Sequence, residues 1–158
     1  MEQLFQSYLA LLDELGRSLD RLSQLALEKD NVVRQDDLIA LDEVLKQEQV
    51  MTLSLRGLEQ KRGKLTAQLG LEGLPLSEIS GHFPPELAKQ AAQAADTVLE
   101  RYTIYRSCAE RARATLELNL HLIEKTIAAA GVDPKLAVAG YESPNVEPPK
   151  NMKTDFRA

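Results

Sequence analysis

The side chains able to do chemistry in this chain are few, and their spacing suits little chemistry. Two histidines, His82 and His121, and one cysteine, Cys108, are its only imidazole and thiol groups. His121 stands four residues after Glu117 and four before Lys125, the spacing of a surface ion-pair ladder on a helix. A carboxylate-bridged metal centre in a helical bundle needs two Glu-x-x-His repeats, and the sequence has neither. It also lacks a glycine-rich phosphate loop, a nucleophile elbow and a paired-cysteine spacing, so nucleotide hydrolysis, acyl transfer and zinc binding lack their minimum parts. No catalytic residue, no metal ligand and no cofactor is expected. Arg101, Arg106, Arg111 and Arg113 form a basic run, but Glu100, Glu110 and Glu117 interleave with it, as on a solvated helix face.

Composition narrows the class further. Ala, Glu, Lys, Leu and Arg make up half of the 158 residues, the signature of long helices. With 44% apolar against 27% charged residues the chain can bury a core, and with 4% aromatics and no Trp it has neither base-stacking platforms nor the makings of aromatic-rich strands. The net charge of −5 repels phosphate, so no nucleic-acid partner is expected. No apolar run approaches the roughly 18 to 20 residues that cross a bilayer, so the chain is expected not to be membrane-inserted and to be cytoplasmic, with a reduced Cys108.

Proline is absent from the first 74 residues, and all seven prolines fall between Pro75 and Pro149. That asymmetry divides the chain. Over residues 3–33, Leu4, Tyr8, Leu11, Leu15, Leu19, Leu22 and Ala26 recur at steps of three and four, and Phe5, Leu12 and Val33 widen the stripe. Such a width suits a helix packed against two neighbours. Asp36 reads as the N-cap of a second helix over 37–69, with Gly70 as its stop. Gly57 and Gly63 inside it predict a frayed or bent second half. Residues 71–84 are too apolar for a free linker and should pack across the end of the bundle, with one short turn after Ser77.

A third helix over about 85–130 would be ~70 Å long and serve as the spine, with helices one and two lying antiparallel along most of it. Its main stripe runs from Leu87 through Val98, Tyr102 and Ala112 to Leu116, Leu120, Ile123 and Ile127 and reads as core throughout. The architecture predicted is all-α: an elongated antiparallel three-helix bundle or coiled coil over 1–131, followed by a Pro-containing, disordered tail over 132–158. One feature exceeds what folding requires. Almost opposite the main stripe, Ile104, Cys108, Thr115, Leu118, Leu122 and Ala129 form a second apolar line. Such a line marks either a partner site for an amphipathic helix or an interface already covered, for example by another copy of the chain.

The second helix carries a family likeness. Asp37-Leu38, Leu41-Asp42, Leu45, Glu48, Leu55, Leu58, Arg62, Leu65 and Leu69-Gly70 follow a Gly-Asp-Leu-like start, Glu-rich heptads and an Arg-x-x-Leu-x-x-x-Leu-Gly ending. This resembles the FlgN family of flagellar secretion chaperones, and the layout of two helices, a long third helix and a Pro/Gly-rich tail is similar across nearly the whole chain. The resemblance implies a cytoplasmic chaperone that holds the C-terminal helices of hook-filament junction proteins and presents them to the flagellar export gate without nucleotide or catalysis. By position it maps the client groove to the third helix near Leu118 and Leu122. It also implies an export-gate docking role for the tail Tyr141, although Gly140-Tyr141 reverses the family's Tyr-Gly order. The alternative is a structural coiled-coil homo-oligomer or spacer with no client, its second stripe a self-interface.

Overall fold

In the computed structural model, which describes residues 1–131, helix α1 spans Glu2–Arg34 and α2 spans Leu38–Gln68. A short α3 (Leu76–Ile79) and a 3-10 turn (Ser80–His82) then lead into α4, Pro85–Ala129. No strand occurs among the described residues. The predicted disordered tail and Tyr141 lie outside them.

Two residues build the reversal between α1 and α2. The amides of Asp36 and Asp37 donate to the carbonyls of Val33 and Val32, closing α1 in a Schellman turn that needs its penultimate residue in the left-handed region. Asp36 takes that conformation, with φ of 55°. The cap of α2 therefore passes to Asp37, whose carboxylate accepts from the Ala40 amide at 3.0 Å. This corrects the assignment to Asp36: an aspartate tolerates left-handed geometry locally, and a residue in that conformation cannot also be the extended cap. At the far end of α2, Gly70 (φ 71°) closes an equivalent turn, with Leu71 donating to Thr66.

α1 lies between α2 and α4, and neither of those packs on the other as closely as each packs on α1. Phe83 meets Phe5 and Tyr8, Arg101 reaches Asp20, and Thr115 meets Asp30, so α4 runs parallel to α1. Lys29 pairs with Glu48 at 2.8 Å and Arg21 donates to Gln47, so α2 returns antiparallel to it. The bundle is thus up-down-up, with α1 rather than the long third helix as its centre. The reason is composition: α1 buries leucines on a wide arc, among them Leu11, Leu12, Leu15, Leu19, Leu22 and Leu25, whereas α4 buries only Ala91, Ala95, Val98 and Ala112.

The main core sits where α1 begins, α2 ends and α4 begins, and Leu76, Ile79 and Phe83 close its base. The connection packs across the bundle end as its apolar residues imply. Within this core Arg62 is buried beside Glu59, which accepts from it at 3.1 Å. Burial works against the guanidinium's charge, but Glu59 and the Tyr8 phenol together hold its pKa above the ordinary value. Gly16 on α1 gives the Arg101 guanidinium room to cross to Asp20, since a Cβ there would come within 2.6 Å of Arg101 Nη1.

α2 runs as one unbroken helix past Gly57 and Gly63, contrary to the expected fraying. Leu55, Leu58, Arg62 and Thr66 anchor that half, and their burial outweighs two glycines that cost about 1 kcal/mol each. A Cβ at either glycine would meet nothing within 4 Å. Gly57→Ala with Gly63→Ala should therefore raise stability by about 1 to 2 kcal/mol. Urea denaturation checks this, and a loss of stability would show that one of these positions is not an ordinary helical site.

Candidate functional site

α4 is ~68 Å long and α1 ~50 Å, and because they start level, the last roughly ten residues of α4 overhang the α1–α2 turn by about 15 Å. The main stripe is exposed to different degrees along this length. Up to Val98 it is core; beyond Tyr105 only Ala112 is fully buried, and Leu116, Leu120, Ile123 and Ile127 are half-buried. Reading that stripe as core throughout was wrong for its distal third, because α1 ends at Arg34 and the start of α2 only borders α4 there across a hollow.

Two shallow apolar hollows result. One, of about 120 Å³, lies between the start of α2 (Leu38, Leu41) and Leu116, Leu120 and Ile123 of α4. The other, of about 180 Å³, is floored by Val33, Thr115, Leu118 and Leu122. Val33, Asp36 and Asn119 border both, so the end of α1 forms a saddle between them. Leu118 and Leu122 are 61% and 52% exposed.

The structure brings together some of the second-stripe residues and separates others. Thr115, Leu118 and Leu122 share the larger hollow. Ile104 is half-exposed and Cys108 half-buried, but Ile104 lies ~21 Å along the helix from Leu118, and Ala129 is exposed in the last turn of the overhang. Thr115 does not face outward as an apolar line would have it: its hydroxyl donates to Asp30 on α1. Leu38, Leu41, Leu116, Leu120 and Ile123, read as packed seam residues, line the smaller hollow instead. Periodicity marks apolar faces but does not tell where a neighbouring helix stops.

The polar anchor of this region is Asp30, buried on α1. It accepts from Thr115, lies 3.1 Å from Arg34 Nε and 3.6 Å from Arg111 Nε, and so joins the end of α1 to α4. The Thr115 hydrogen bond, against the opposing effect of burial, and the two arginines hold its carboxyl below the usual aspartate range. Among the described residues no group of three or more His, Cys, Asp or Glu side chains could hold a metal ion, and no helix is long and apolar enough to cross a membrane. What the region offers is apolar surface on a rigid helix, the geometry for receiving another helix.

A family model described as FlgN protein matches residues 1–140. The chain belongs to the FlgN family. No curated protein and no solved structure matches it. FlgN proteins are flagellar export chaperones. The family match ends one residue before Tyr141.

Because the Asp30 pKa is depressed in the folded state, its contribution is complete above the unfolded value and is lost as pH falls through the folded one. Thr115→Val should cost about 1.5 to 3 kcal/mol at neutral pH, the worth of a hydrogen bond to a charged group. The gap to the parent protein should narrow near pH ~3, below the ordinary aspartate value. Equal gaps in urea melts at the two pH values would show that the ionised carboxylate does not hold this junction.

Proposed function

We propose that this FlgN-family chain is a cytoplasmic export chaperone that binds the C-terminal helices of hook-filament junction proteins and delivers them to the flagellar type III export apparatus. The observation that carries the reading is the exposure of Leu118 and Leu122 beside an apolar hollow on a helix whose other half is firmly packed. A client helix laid along α4 would cover these leucines, with Ile104, Cys108, Thr115 and Ala129 along its path. Membership of the FlgN family supports a flagellar client.

The test compares Leu118→Asp with Leu122→Asp in one protein, titrated with a junction-protein C-terminal helical segment. Burying a leucine is worth ~1.5 to 3 kcal/mol and an unpaired carboxylate in a dry contact costs more, so affinity should fall at least about a hundredfold. Cooperative melting should persist, since both positions are solvent-facing. Undiminished affinity in the folded variant would place the client elsewhere. The matching fold control is Leu19→Ala in the core, expected to cost about 2 to 5 kcal/mol; Leu116, half-buried at the rim, is not a core control.

Tyr141 is proposed as the docking residue for the export gate, acting after the client is bound. Tyr141→Ala should leave melting and client affinity unchanged and reduce the amount of client secreted by cells. Normal secretion would remove Tyr141 from the mechanism.

A further inference from the structure

The outward face of α2 carries a second uncovered apolar patch that the client reading does not use. Ile39 is 87% exposed, Val50 66% and Leu53 65%. On a helix of 3.6 residues per turn these three fall within about 60° of one another, on the side away from Val44, Leu55, Leu58 and Arg62, which face α1. Gly57 continues the same line one turn beyond Leu53, with open space where a side chain would stand. A neighbouring backbone can approach closely there.

The charges around this patch are asymmetric. Towards the start of α2 lie Asp42 and Glu43, with Lys46 paired to Asp42 at 2.7 Å; towards its end lie the exposed Arg56, Lys61 and Lys64. A partner helix that fits must be acidic opposite the basic end and basic opposite the acidic end. Another copy of α2, running antiparallel, has this arrangement. With the two-fold near Thr52, Val50 of each copy comes against Leu53 of the other. On one flank, Glu43 of each copy comes level with Lys61 of the other, twice by symmetry. Parallel pairing would instead oppose Glu43 to Glu43 and Lys61 to Lys61.

We propose that the chain self-associates through this face, as an antiparallel α2–α2 dimer centred on Val50 and Leu53. Leu118 and Leu122 are on α4 and remain uncovered, so each subunit keeps its own client surface. This places the homo-oligomer interface on α2, not on the second stripe of α4.

Sedimentation of the full chain over a concentration series tests the proposal. The wild type should pass from the 17.5 kDa chain mass to twice that value as concentration rises. Val50→Glu with Leu53→Glu should weaken dimerisation at least about a hundredfold, since burial of each apolar side chain is worth roughly tenfold or more. Both positions are exposed, so the circular dichroism spectrum should not change, nor should melting at concentrations where the wild type is monomeric. Glu43→Lys should weaken the dimer several-fold and Glu43→Lys with Lys61→Glu should restore it. A wild type that stays monomeric at every concentration overturns the proposal, and so does a dimer unaffected by the Val50/Leu53 variant. A dimer abolished by Leu118→Asp with Leu122→Asp would put the interface on α4 and overturn it too. Failure of the double charge reversal to restore association would exclude the antiparallel pairing.

Discussion

One helix supplies the interior for two neighbours that do not close on each other. α1 buries leucines on nearly every inward turn, and both α2 and α4 derive their position from it. A three-helix bundle in which all pairs packed equally would leave little apolar surface. Here the third contact is open, so α2 and α4 each bury one side and present another. The exposed leucines of α4 and the exposed Val50–Leu53 patch of α2 both follow from this arrangement.

Stability is correspondingly concentrated at one end. The start of α1, the end of α2, the apolar connection and the first half of α4 form one continuous core, and Arg62 with Glu59 is buried within it. A buried ion pair adds little net stability, yet loss of either partner leaves a charge in a dry site. The other end is held by fewer contacts: the Lys29–Glu48 pair, the Asp30–Thr115 junction and the tight turn at Asp36–Asp37. The packed end carries the free energy that the open end forgoes.

The candidate site was only partly legible. Leu118 and Leu122 stood out because a helix needs one apolar face and these residues lie on another. Thr115 was grouped with them by angle alone, and it turns instead to a buried aspartate 85 residues earlier in the chain. The hollow lined by Leu38, Leu41, Leu120 and Ile123 could not be found from periodicity, since these residues have the same spacing as true core residues such as Leu55 and Val98. Ile39, Val50 and Leu53 gave no regular stripe, being separated by charged side chains on the same face.

The all-helical class, three long helices, the packed connection and the breadth of the α1 stripe follow from the sequence, because apolar spacing, proline placement and glycine stops act within a few residues of where they occur. Helix-terminus geometry is nearly as local, though whether Asp36 or Asp37 caps α2 depended on the Schellman turn ending α1. What the tertiary structure decided is which helix lies at the centre and where each stripe loses its cover. Those depend on the relative lengths of α1 and α4 once they start level at Phe5 and Phe83, and on the small residues that let α4 approach α1. A stripe is core only while a neighbour runs beside it, and the end of that neighbour is a fact about another part of the chain.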